Sequence, residues 1–390
     1  MKLRISFSLC VVVEVLIASL IAIFTALGNN AVVSALFAVS FVVIFSFALV
    51  GIRKWYYGVS TLFLISICIV NVILNGLMEN GAFDFNYFKK VIMFTAFIIF
   101  MSAASRGCFR ISNKVIKVVE ILPVVAGTFL VLSYQFMGNT ATIAGGITLG
   151  FTNPNFTGMW LLHLFLFGCL YIIKGWEENK WRLLLAPVLL KMLEMILLTG
   201  ARGCIIGVVA FFILLFLNRK GKKFNKFVLL SIAIVPLVIS IVYLNVVYAD
   251  WFTEKFSIFV SVGKSLTSRV KIWTVAFDSF WQHPITGNYS GISGGSGASQ
   301  MHNTHVDVLC SYGIFAAILF MQNLYQNMRS VNSCIKSSYQ HAAFCAFAAI
   351  TIMGTFEAAV VAGAMGLNLL TVSLLVLAKY GNMDKFEQSE

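Results

Sequence analysis

Long apolar runs separated by short polar punctuation make up most of this chain. Runs of about 20 apolar residues are long enough to cross ~30 Å of hydrocarbon at 1.5 Å per residue. Here they recur from one end to the other, which excludes a single anchor. The pattern predicts helical spans near 5–27, 31–50, 56–77, 89–105, 115–135, 153–173, 182–199, 203–217, 226–247, 304–322, 340–361 and 363–379. The first follows Lys2 and Arg4 as a secretion signal would. Its length, the internal Glu14 and the lack of a cleavage site make it a permanent helix. Pro123, Pro187 and Pro236 each predict a local kink inside a span. Gly363, Gly366 and Asn368 mark either a tight turn between the last two spans or small residues at a helix interface.

One polar stretch, Thr267 to Gly313, interrupts this regime. Within it Val270, Trp273, Phe277, Phe280 and Trp281 fall on one apolar stripe at 100° per residue, so the segment predicts an amphipathic helix lying on the membrane or on the bundle. Arg269 borders that stripe, whereas Lys271 and Asp278 project from the opposite face. With Thr267 or Ser268 as N-cap, Arg269 falls in the first turn, where the helix dipole disfavours a cation unless an anion sits nearby. A snorkelling Arg on an interfacial helix is the alternative reading. Gly287, Gly291, Gly294, Gly295 and Gly297 follow and predict a mobile segment, either a linker or a lid over substrate.

Composition fixes the class. The 390 residues are 59% hydrophobic and only 11% charged, with mean hydropathy +0.91, far from the balance of water-soluble domains. The reading is an all-α integral membrane protein of about twelve spans with one large extracytoplasmic loop. It divides into spans one to nine (1–247), the loop (248–303), and spans ten to twelve with a short cytoplasmic tail (304–390). Most of the 28 Lys and Arg residues fall in alternate connections, including the cluster "NRKGKKFNK", which places both termini in the cytoplasm and the long loop outside. The formal charge of +13 is therefore mainly a topology signal and no evidence for nucleic acid; the inner clusters suit anionic lipid headgroups. The eight cysteines lie in or beside spans without a CxxC pair, so neither a disulfide framework nor a metal centre is indicated.

Three residues carry candidate chemistry. His302 opens the span that follows the loop, and a neutral imidazole at a wet helix mouth can take a proton from a hydroxyl, although it can equally serve as a cap. His305 is one turn on, but Asp307 is rotated about 140° from His302 and does not complete a metal site. Arg202, in "LLTGARGCIIG", stands at an outer junction of two spans, against the charge bias. Its planar donor fork can grip phosphate oxygens at two points, and a snorkelling residue at a helix end is the alternative.

The order "LTGAR" at an outer junction, "SRVKIW" opening a loop helix, "HPITG", then His302 and Asn303 followed, after nine intervening residues, by Gly313, resembles the O-antigen ligase and polysaccharide polymerase superfamily. "GFTNPNFTGMW" at Gly150 to Trp160 resembles that family's lead into an earlier span. The chain departs from the pattern after Gly313, where "IFAAI" puts Ala316 and Ala317 in place of a common second glycine. The motifs cover about a third of the chain. What the resemblance implies is a metal-independent, cofactor-free glycosyltransferase of the bacterial inner membrane with its site facing outward. The donor would be a glycan on undecaprenyl diphosphate and the acceptor a sugar hydroxyl or lipid core, with other polysaccharide export proteins as further partners. Carried over residue by residue, Arg202 and Arg269 would bind the diphosphate and His302 would act as base, supported by Asn303, His305 and Gly313. The product would be a surface polysaccharide, O-antigen or capsule.

Two rival classes follow from the same residues. A glycoside hydrolase needs two carboxyl groups facing one bond, and the outer loops offer only scattered Glu79, Asp84, Asp250, Glu254 and Asp278. A transporter would use intramembrane charges. Lys191 and Glu194 read as a self-neutralising pair one turn apart, while Glu14 and Glu357 lack obvious partners and are candidates for a proton or substrate path. Within the enzyme class, polymerase is the first reading and ligase the second; compact inner loops give no sign of a protein acceptor site.

Overall fold

A computed structural model describes residues 6–52, 58–79, 85–138, 141–143, 145–217, 223–247, 264–288, 301–357 and 365–381. The chain folds as a bundle of helices. The first five are α1 (Phe7–Ala26), α2 (Asn30–Ile52), α3 (Val59–Glu79), α4 (Phe85–Arg106) and α5 (Asn113–Phe136). A two-stranded antiparallel hairpin follows, β1 (Thr142–Ile143) and β2 (Gly146–Ile147). Then come α6 (Pro154–Glu178), a 3-10 turn (Lys180–Leu185), α7 (Ala186–Thr199), α8 (Arg202–Leu217) and α9 (Lys226–Val247). The last four are α10 (Lys264–Gln282), α11 (Thr304–Cys334), α12 (Ser338–Met353) and α13 (Met365–Tyr380).

Each of the expected spans overlaps a helix among the described residues, although the 182–199 span begins in the 3-10 turn and α12 stops at Met353, short of the expected 361; α10 lies where the amphipathic helix was expected. Among the described residues, α1, α5, α6 and α11 are long and apolar enough to cross a bilayer, and six shorter apolar helices accompany them. The core lies along α6, α11, α12 and α13. Nearly every described residue of α12 and α13 is buried, including Phe344, Phe347, Leu370 and Leu374. Outward faces carry large apolar side chains such as Phe63, Val125, Leu190 and Phe216. That is a surface matched to hydrocarbon rather than to water.

Two expectations change. Pro187 sits in the first turn of α7, where its missing N–H leaves no helical bond unmade, so it starts the helix after the 3-10 turn instead of kinking a span. Pro123 and Pro236 do lie inside α5 and α9. The tenth span, expected to stop at 322 where polar residues begin, continues to Cys334. Its second half buries Asn323, Asn327 and Asn332, and polar side chains of neighbouring helices satisfy the first two. Asn323 Nδ2 donates to Thr61 Oγ1 at 2.6 Å, Asn327 Nδ2 to Asn323 Oδ1 at 2.8 Å, and Ser105 Oγ to Asn327 Oδ1 at 2.8 Å. Arg106 adds Nε to Asn327 Oδ1 at 3.0 Å and Nη2 to Gln326 Oε1 at 2.8 Å. A hydrogen-bonded polar ladder of this kind joins α3, α4 and α11 without exposing backbone to lipid.

Candidate active site

The site is built where α11 begins. Asn303 is its N-cap: Oδ1 accepts from the backbone N–H groups of His305 and Val306, both at 2.9 Å. Those are orphan donors that a short amide side chain is suited to satisfy. The other end of the amide, Nδ2, donates to Thr355 O at 2.7 Å and to Ser240 Oγ on α9. Asn303 is fully buried, so one side chain fastens the start of α11 to α9 and to the turn after α12. The Thr304 N–H adds a bond to Gly354 O at 2.8 Å.

His302 immediately precedes this cap with φ +50°, a left-handed conformation uncommon for a residue with a Cβ. Its ring is held from one side: Nδ1 lies 3.0 Å from Glu357 Oε2, with the His302 side chain 26% exposed and that of Glu357 1%. Glu357 therefore has a partner, which corrects the expectation that it lacks one.

Arg202 is the first residue of α8, and it is exposed. The preceding Gly200 takes φ +67°, the left-handed C-cap that lets α7 stop and α8 start two residues later. Gly203 allows the start of α8 to press against the turn after α12: a Cβ there would stand 2.9 Å from Glu357 Cγ and 3.1 Å from Phe356 Cβ. The "TGAR" junction thus abuts the residue that holds His302.

The loop helix reaches the same place. Trp273 of α10 is 3% exposed, and its indole Nε1 donates to the carbonyl of Met301, the residue before His302, at 2.7 Å. Arg269 is on α10, one turn before Trp273; its side chain lies outside the described residues, as do those of Val270 and Lys271. Trp273, Ala276 and Phe280 form the packed stripe. Trp281, expected on that stripe, is 72% exposed, because it follows Phe280 by 100° and turns off the contact line. Of the glycine-rich segment expected as a linker or a lid, Gly287 packs against the Ser311 backbone at φ +71°, and Gly291 to Gly297 lie outside the described residues.

Gly313 has a structural reason. At φ +84° and ψ 174° it occupies backbone space open essentially to glycine alone, and it breaks α11. The "HPITG" segment docks into the break: the Ile314 N–H donates to Pro284 O at 2.9 Å, the Asn288 N–H to Cys310 O at 2.8 Å, and a Cβ on Gly313 would collide with the Ile285 carbonyl. Asn71 of α3, overlooked in the sequence, completes the joint by donating to Tyr312 O at 2.6 Å and Ile285 O at 3.3 Å.

His305 does not join His302. Its Nε2 bonds Ala233 O at 3.1 Å, and it is 2% exposed, facing α9. The described residues contain no group of three His, Cys, Asp or Glu side chains placed to hold a metal. Asp307 accepts from Ser311 Oγ at 3.0 Å. Of the intramembrane charges that suggested transport, Lys191 and Glu194 pair at 2.7 Å, and Glu14 accepts from Ser40 Oγ at 2.7 Å.

Residues 187–321 match the family model described as O-antigen ligase, a stretch that takes in Arg202, Arg269, His302 and Gly313 and ends before Glu357. No curated protein and no solved structure matches the chain. The apolar helices together with this match identify an integral membrane protein.

Proposed function

We propose that the protein, whose residues 187–321 match the family model described as O-antigen ligase, transfers glycan from a lipid diphosphate to a sugar hydroxyl at the start of α11. One observation carries the reading: His302, with a carboxylate behind its ring, stands between the Arg202 helix start and the α10 latch. In the proposed step the acceptor hydroxyl gives its proton to the free imidazole nitrogen. Its oxygen forms a bond to the anomeric carbon of the donor sugar, and the bond from that carbon to the diphosphate oxygen breaks. The electron pair leaves with the lipid diphosphate, whose growing charge Arg202 and Arg269 neutralise. A diphosphate is already a fair leaving group, so cationic stabilisation replaces a general acid and no second carboxyl group is required.

Polymerisation of undecaprenyl-diphosphate-linked repeat units into a surface polysaccharide is the reading we carry forward, in the bacterial inner membrane with the site facing outward. Transfer to a lipid core or protein acceptor is the second, in keeping with the matched family, O-antigen ligase. Purified protein in liposomes should elongate or transfer lipid-linked glycan without ATP or an ion gradient, and His302→Ala and Arg269→Ala should abolish turnover. Full turnover in either variant would reject this mechanism. A deletion strain separates the two readings: single repeat units on the final acceptor mean a lost polymerase, and long chains stranded on the carrier lipid mean a lost ligase.

A further inference from the structure

We propose that Glu357 is the positioning residue for His302: it fixes the ring with its proton on Nδ1, leaves Nε2 as the nitrogen that takes the acceptor proton, and stabilises the imidazolium that results. The inference deepens the reading of His302 as base and rests on it for its kinetic part. Glu357 lies beyond the stretch that matches the ligase family, so the assignment comes from this chain's geometry.

With Glu357 as a carboxylate, the contact selects the tautomer. An ionised carboxylate only accepts hydrogen bonds, so at 3.0 Å from Glu357 Oε2 the Nδ1 of a neutral His302 must be the donor. The lone pair is then on Nε2. A base whose second nitrogen is held by a buried carboxylate is the arrangement that orients an imidazole for proton transfer and offsets the charge it acquires. Glu357 is itself held. Its N–H donates to Met353 O at 3.1 Å, its carbonyl stands 3.5 Å from Thr304 Oγ1, and the close approach of Gly203 packs the start of α8 against its Cγ. His302 is held as firmly, by the Asn303 cap on one side and the Trp273 bond to Met301 on the other. Two side chains fixed this well from separate elements, with the histidine in a left-handed backbone conformation, indicate a contact for which the local fold carries strain.

Among the described residues, these titratable groups lie on the elements next to the pair. Arg202 stands at the start of α8, and Lys264, Arg269, Lys271 and Asp278 are on α10. On α11, His305 is turned to Ala233 and Asp307 to Ser311.

Two measurements on the full-length protein in nanodiscs test this. In ¹⁵N-histidine NMR, with the His302 signal assigned by its loss in His302→Asn, the wild type should show protonated Nδ1 and unprotonated Nε2; Glu357→Ala should populate the other tautomer. A wild-type signal with the proton on Nε2 overturns the proposal and needs no variant that must fold. In the transfer assay, Glu357→Gln, which keeps the shape and removes the charge, should lower kcat about 10- to 100-fold. It should leave KM for the lipid-linked donor within about two-fold and move the acid limb of the pH–rate profile to lower pH, with Glu357→Asp restoring part of kcat. Wild-type kcat and pH profile in Glu357→Gln, alongside an inactive His302→Ala, would overturn the proposal while leaving the function intact. If His302→Ala keeps full turnover, the reading of His302 as base fails, and the NMR tautomer still decides whether Glu357 sets the ring.

Discussion

Trp273 and Met301 lie 28 residues apart, and the indole of the first donates to the backbone carbonyl of the second at 2.7 Å. Between them runs the most polar part of the chain. The bond closes that stretch into a loop whose two ends carry Arg269 and His302, so the helix that bears the cation is anchored one residue from the candidate base.

Trp273→Phe keeps most of the buried ring and removes this bond. Stability should change by only about 1 kcal/mol, the net worth of one hydrogen bond, whereas glycan transfer should fall several-fold as α10 loses its register against Met301. Thermal unfolding and the transfer assay on one preparation read the two effects. Equal losses in both would mean that the tryptophan only holds the fold.

Arg202→Lys and Arg269→Lys retain the charge and lose the planar two-point donor. If both grip a diphosphate, each should reduce kcat/KM about 10-fold or more. A neutral outcome for Arg202→Lys would mean that its charge alone is used.

Asn303→Ala removes a helix cap together with both amide donor bonds. The cap alone is worth about 1 kcal/mol, and leaving the carbonyl of Thr355 buried and unpaired adds about 1–3 kcal/mol. The variant should melt well below wild type. Asn303→Asp keeps the cap but puts an acceptor against the Thr355 carbonyl, so it should not recover wild-type stability.

Gly313→Ala should be among the most damaging small substitutions in the chain. The backbone there is strained for any residue with a Cβ, at about 1–3 kcal/mol, and the added carbon would meet the Ile285 carbonyl. Yield and melting temperature should both drop, and Gly138→Ala makes a control: it too has a positive φ, +63°, but nothing lies within 4 Å of its added Cβ.

The helices were legible because each apolar run has only one way to satisfy its backbone in lipid. Arg202, Arg269, His302, Asn303 and Gly313 could be picked out because residue type and spacing single them out in polar punctuation. What pairs with what was not legible. Glu357 and His302 are 55 positions apart, and no local period links them; only the packing of α8 and α12 brings the carboxylate to the ring. The lower half of α11 was misread for a related reason. Asn323 and Asn327 look like the end of a span until Thr61, Ser102, Ser105 and Arg106 arrive from two other helices to bond them. Asn71 was passed over inside an apolar run because the carbonyls it serves exist only where α11 breaks.

The break at Gly313 turns the spacing between the His-Asn pair and the glycine into a ruler. Ten residues of helix from Asn303 to Gly313 measure about 15 Å and a little under three turns. At one end α9 and the turn after α12 clamp the amide; at the other the "HPITG" segment fills the gap. Adding or removing a residue between them would rotate one end by about 100° relative to the other, so the two joints could not both close. The side chains of the interval are buried in their own right, and its length is fixed separately by the two joints it spans.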